Sequence, residues 1–181
     1  MTVRPVGPVS FQAHVLRLPQ KGMPVVIEAS PEQRAALARD HELLSVDFFR
    51  AEILVEKWKR DGIRVTGVVK ARIEQACIVT LEPVATDIRE DIDTLFLPED
   101  SKLMRPDVDE RGEILLDADG ADSPEAFSGD TIDVGALAEE FFALGIDPYP
   151  RKEGAAFEQG AADADPEASP FAKLLALKRD A

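Results

Sequence analysis

The rhythm of polar and apolar positions changes several times along this chain, and each change marks an element. Ser10 to Leu18 alternates imperfectly, which predicts a strand. Met23 to Ala29 predicts a second, with Pro24 near its start, where a missing amide is tolerated. Gln20-Lys21-Gly22 supplies the turn between them. Ser30-Pro31-Glu32-Gln33 then opens a helix. Ser30 caps it, Pro31 suits the first helical position, and Gln33 stands three residues after the cap. Ala35, Ala36, Leu37 and Ala38 favour helix through Asp40.

Leu43 to Leu97 is the strand-rich centre. Phe48 to Arg60 and Ile63 to Ala76 flank Asp61-Gly62, a strong hairpin signal because both turn positions accept positive φ. A two-residue loop sets Arg60 opposite Ile63, Trp58 opposite Val65 and Leu54 opposite Val69. Ile63, Val65, Val69, Ala71 and Ile73 then form an apolar row toward the core, with Gly67, opposite Glu56, as its weak spot. The other side gathers Lys57, Lys59, Arg64, Lys70 and Arg72, with Val55 and Val68 between them. A three-residue loop with a bulge would flip one strand and scatter these five cations. Cys77 to Leu81 continues as strand until Pro83. Ala85 to Leu97 sets Asp87, Arg89, Asp91 and Asp93 against Ile88, Ile92, Leu95 and Leu97, as a strand with one wet face does.

From residue 98 to 130 acid, glycine and serine dominate, which predicts a mobile insertion with Glu113 to Leu116 as its one short strand. Val134, Leu137, Ala138, Phe141 and Leu144 then recur at helical spacing, widened by Phe142 and Ile146. Thr131 or Asp133 caps this helix, spanning 133–145, and Gly145 and Pro148 stop it. Residues 153–169 lack periodicity and read as a flexible linker. Residues 170–179 read as a short amphipathic helix with Phe171, Leu174, Leu175 and Leu177 on one strip. The sum is an α+β fold. An antiparallel sheet of five or six strands, barrel-like if it curls, is covered by one main helix, with a short helix at its edge. One domain spans 1–152, followed by the linker and a C-terminal helix within 170–181.

The 181 residues are 45% hydrophobic, enough for one proper core. Net charge is −14, unevenly spread: residues 1–80 hold 12 basic and 9 acidic side chains, residues 81–181 hold 9 and 26. Such acidity argues against wholesale coating of nucleic acid or anionic lipid. No apolar run is long enough to span a bilayer, and Met1 to Pro5 lacks the charged-then-apolar design of a secretory signal, so the expected compartment is the cytoplasm. A lone Cys77 excludes an internal disulfide framework and a multi-cysteine metal site. His14 and His41 stand apart from other ligands and read as surface or half-buried residues. Phosphate loops and the serine elbow are absent, and 117–122 lacks calcium-loop spacing. Asp91, Asp93, Glu139 and Glu140 read as solvated charge, and Cys77 as an inert thiol. No catalytic residue, metal, cofactor or small-molecule substrate is expected.

Three ordered segments nevertheless resemble the YceD family, the large ribosomal RNA subunit accumulation proteins. Cys77-Ile78-Val79-Thr80-Leu81-Glu82-Pro83 is similar to the family's C-x-x-C-L-x-P element, with Cys77, Thr80, Leu81 and Pro83 at its motif positions. Thr131 to Glu140, continuing to Pro148 and Lys152, is similar to its I-D-L-x-x-L-x-x-E helix, with Asp133, Leu137, Glu140 and Pro148 in register. Pro170-Phe171-Ala172-Lys173-Leu174 is similar to its P-F-x-x-L ending, carried by Phe171 and Leu174. Thr80 stands where the family has a second cysteine, so a thiol pair does not carry over, and the single-cysteine form looks like an alphaproteobacterial branch. The resemblance implies a non-enzymatic role in synthesis, processing or stability of 23S rRNA. The partner expected from it is ribosomal RNA or a pre-50S particle, met through the five hairpin cations. The alternative is an acidic module, using 98–130 and the tail helix, that docks a basic ribosomal protein or assembly factor.

Overall fold

A computed structural model of the chain describes residues 7–101, 103 and 123–156. Five strands form one open sheet in the order β2-β3-β4-β5-β6: β2 (Met23–Glu28), β3 (Ser45–Trp58), β4 (Gly62–Ala76), β5 (Pro83–Pro98) and β6 (Glu125–Phe127). The first four run antiparallel, but β6 joins β5 in parallel, with Phe96 beside Glu125. The expected all-antiparallel, barrel-like sheet is therefore corrected. Its edges β2 and β6 do not meet, because the chain leaves at Pro98 and re-enters beside β5 rather than beside β2. The predicted strand 113–116 and the 170–179 helix lie outside the described residues, as do most of the insertion and linker.

The long first strand of the sequence reading shrinks to β1 (Gln12–His14), and its partner is β7 (Thr131–Asp133), not β2. Ser10 to Gln12 are held by Asp133 instead of a hairpin neighbour. Val9, Ala13, Val15 and Leu18 are buried, so this stretch runs as a cover over the core.

One sheet face builds that core. Phe49, Ala51, Ile53 and Val55 of β3 share it with Ile63, Val65, Val69, Ala71 and Ile73 of β4 and Ile88, Ile92 and Phe96 of β5, all buried. Helix α1 (Pro31–Asp40) packs on β3, and α2 (Val134–Leu144) on β4 and β5. The capping box predicted for α1 is formed: Ser30 Oγ accepts from the Gln33 amide, and Gln33 Oε1 accepts from the Ser30 amide at 2.8 Å. On α2 the buried stripe is Val134, Leu137, Ala138 and Phe142. Phe141 is half-buried and Leu144 exposed, so the buried face is narrower than the apolar pattern predicts. Phe142 seats edge-on between Phe49, 5.5 Å away, and the His41 ring, 5.3 Å away.

Candidate interaction surface

Among the described residues no helix covers the opposite face of the sheet, whose charged side chains are exposed, and the five hairpin cations are expected there. The hairpin register overturns their grouping. Trp58 pairs with Gly62 and Val55 with Val65, leaving Lys59, Arg60 and Asp61 as a three-residue loop. Lys59, not Gly62, takes the positive φ, at 51°. Gly62 instead lies flat under Trp58, where a Cβ would come 2.8 Å from the indole Cε3. The shift moves Lys57 to the core side of the sheet, at the strand's exposed end. There it lines a cleft of about 500 Å³ with Arg60, Asp61, Pro98 and Phe127. Lys59 sits at the tip with its Nζ 4.0 Å from the Trp58 ring centroid.

Arg64, Lys70 and Arg72 do share the outer face, but carboxylates hold two of them. Asp93 takes both Arg64 nitrogens at 2.8 and 2.7 Å, and Asp87 takes both from Arg72 at 2.7 and 3.0 Å. These forks hold both carboxyls below the usual range and raise both guanidinium values. Lys70 makes no ion pair among the described residues. It stands directly between Arg50 of β3 and Arg89 of β5, two cations the sequence reading did not weigh. Arg50 is in turn bound by Glu28 and Glu52, and Arg89 by Asp91 at 3.5 Å. The outer face of β2 to β5 thus sets Arg50, Arg64, Lys70, Arg72 and Arg89 against Glu28, Glu52, Glu56, Glu74, Asp87, Asp91 and Asp93. Among the described residues of these four strands the carboxylates on this face outnumber the cations.

The family-like positions behave differently, because the structure brings two of their segments together. Cys77 to Leu81 is not strand, as expected, but a tight turn between β4 and β5. The Cys77 amide donates to the Glu82 carbonyl, the Leu81 amide to the Cys77 carbonyl, and Leu81 adopts φ 61°. The segment after α2 clasps this turn. Pro150 accepts from the Ile78 amide at 2.9 Å, Lys152 Nζ donates to Glu82 at 2.8 Å, and Gln75 Nε2 donates to the Asp147 carbonyl at 2.9 Å. Pro83 opens β5 and Pro148 lies in the clasping segment.

The Cys77 sulfur is the acceptor at the clasp's centre. The Lys152 amide is the strongest influence on it, followed by the hydroxyl and amide of Thr80. Burial opposes them, the Val79 amide adds to them, and the thiol is lowered to about 6. Thr80 therefore helps to hold the Cys77 thiol low from the position where the resemblance has a second thiol. Cys77 has no exposed surface, so a low value does not make it an accessible nucleophile.

Asp133 forms a second node. Its Oδ1 accepts from the amides of Phe11, Gly135 and Ala136 at 2.9, 3.1 and 2.9 Å, and its Oδ2 from Ser10 Oγ and Gln12 Nε2 at 2.5 and 2.7 Å. It caps α2 and ties down the segment that crosses that helix. Burial would raise its carboxyl, but the donors, Ser10 and Ala136 foremost, outweigh burial and hold it low. Gly135 makes the crossing possible: a Cβ there would lie 2.0 Å from the Val9 carbonyl oxygen. Leu137 is buried in the core, and Glu140 is exposed on α2. His41 contacts Glu139 at 3.3 Å, and His14 lies 3.9 Å from Asp130. No group of three metal-ligating side chains occurs among the described residues.

A family model described as "Large ribosomal RNA subunit accumulation protein YceD" matches residues 65–178. The chain belongs to the YceD family. The match takes in β4 from Val65 on, the Cys77 clasp, Asp133 and α2, and runs on past Phe171 and Leu174, which lie outside the described residues. The family's name ties it to accumulation of large-subunit ribosomal RNA. No curated protein and no solved structure matches the chain. Among the described residues no helix is long and apolar enough to cross a membrane.

Proposed function

We propose that this YceD chain is a non-enzymatic, cytoplasmic factor that supports 23S rRNA by holding a basic protein partner, not by gripping the RNA itself. The observation that carries this reading is the outer sheet face, where Asp87 and Asp93 each grip an arginine and carboxylates outnumber cations. Phosphate binding draws its strength from cations that are free to displace counterions. A face with acid in excess repels a polyanion and attracts a basic protein. Bound there, a ribosomal protein would be shielded from premature contact with RNA.

One observation favours direct RNA contact as a second reading: Arg50, Lys70 and Arg89 stand abreast across three strands. Three phosphate contacts would give a salt slope of about 2 to 3 log units per log unit of salt. Binding of the chain to a 23S fragment and to basic large-subunit proteins across a salt series separates the two. Asp87→Asn, Asp91→Asn and Asp93→Asn together are expected to weaken protein binding. Lys70→Glu with Arg89→Glu is expected to leave RNA binding negligible, as in the parent. A steep, salt-dependent RNA affinity that this pair abolishes overturns the protein-binding reading.

A further inference from the structure

Leu81 stands against two preferences at once. Its φ of 61° lies in the left-handed region that suits Gly or Asn, and its side chain is 77% exposed. Tyr149 and Ile78, on the same clasp, are 71% and 45% exposed. Exposed large apolar residues grouped on a loop held by a rigid scaffold mark a contact site. Residue 156, the last of the described residues, lies four beyond Lys152 of the clasp.

The continuing sequence holds a matching set. Phe171, Leu174, Leu175 and Leu177 recur at helical spacing, interleaved with Lys173 and Lys178. We propose that the clasp formed by 77–82 and 147–152 is the docking site of the chain's own C-terminal segment, residues 170–179. The apolar strip covers Leu81, Ile78 and Tyr149, and the lysines meet Asp147 and Glu153 at the rim. The intervening 13 residues, 157–169, extend to at most about 45 Å, ample for a site adjoining the exit point. So short a tether holds the segment at millimolar effective concentration, so weak contacts suffice. One family match spans both parts, from residue 65 to 178. The proposal does not depend on which macromolecule the outer sheet face meets.

The test uses the full chain at low micromolar concentration. Amides of 171–178 are expected to exchange with solvent at least tenfold more slowly than in a free peptide of the same sequence. The ring of Tyr149, the one tyrosine, should show NOEs to leucine or phenylalanine protons of the tail. Leu81→Asn with Tyr149→Ser removes the apolar surface while keeping a residue that tolerates the Leu81 backbone. It is expected to abolish tail protection with unchanged exchange in β3 to β5. Phe171→Ala with Leu174→Ala should do the same. Free-peptide exchange in the parent, protection that survives the clasp variant, or protection that rises with protein concentration each overturns the proposal.

Discussion

Replacing Asp133 by alanine removes the acceptor for five donors in one step, and the structure sets the scale of the loss. The cap on Gly135 and Ala136 is worth about 0.5–2 kcal/mol. The bonds from Ser10, Phe11 and Gln12 add about 0.5–1.5 kcal/mol each. The site is half-buried, so water replaces part of what is lost, and the expected cost is about 2–4 kcal/mol. That is a large share of a typical stability of about 5–15 kcal/mol. Asparagine is expected to cost much less, about 1 kcal/mol, because its Oδ1 still serves the three amides that Asp133 Oδ1 serves now. Guanidinium unfolding followed by circular dichroism at pH 7 measures both variants. The sign of the pH dependence follows from the lowered carboxyl. Asp133 stabilises the fold fully above the unfolded value near 3.9, and the contribution fades as pH falls through the lower folded value. The gap between parent and Asp133→Ala should therefore close in acid. An alanine variant within 0.5 kcal/mol of the parent, or one equal to the asparagine variant, refutes the reasoning.

Two further outcomes follow from the same geometry. Gly135→Ala should destabilise by about 1–3 kcal/mol in thermal unfolding, although alanine favours helix by about 1 kcal/mol, because the new Cβ strikes the Val9 and Phe11 backbone. A stabilised variant would show that the crossing segment yields easily. Cys77 should react with a thiol reagent far more slowly in the native chain than in urea, despite its lowered value, because access outweighs thiolate fraction. Equal native and denatured rates, normalised for pH, would place the sulfur within reach of solvent.

The sequence is legible where the physics is local. The Ser30–Gln33 box needs only four residues, and it formed as the spacing predicts. The capped start of α2 and the apolar row of β4 were equally plain. The hairpin register differs from the Asp61-Gly62 expectation because the alternation of β3 outweighs the local turn signal. Phe49, Ala51, Ile53 and Val55 are apolar at every second position, and setting them on the face of Val65 and Val69 requires the observed pairing. Lys59 accepted the left-handed turn position that Gly62 was expected to supply. The cations' partners were invisible for a different reason. Arg64 and Asp93 are 29 residues apart and meet only because β5 pairs with β4 in one particular register. The Cys77 turn read as strand because apolar residues fill it, and only the long-range hold by Pro150 and Lys152 makes it a clasp.

The parallel return of β6 has a consequence for how the chain can vary. Glu99 donates to the Phe127 carbonyl, and Pro98 lies beside Phe127, so both ends of the acidic excursion are stapled to neighbouring points of the sheet rim. Such a staple makes the fold nearly indifferent to how much sequence is spliced in between. Each doubling of length costs only about 0.6 kcal/mol. Trimming is less forgiving, because a parallel crossover needs about a dozen residues to turn back. This rim is thus a natural port for grafted epitopes or reporters.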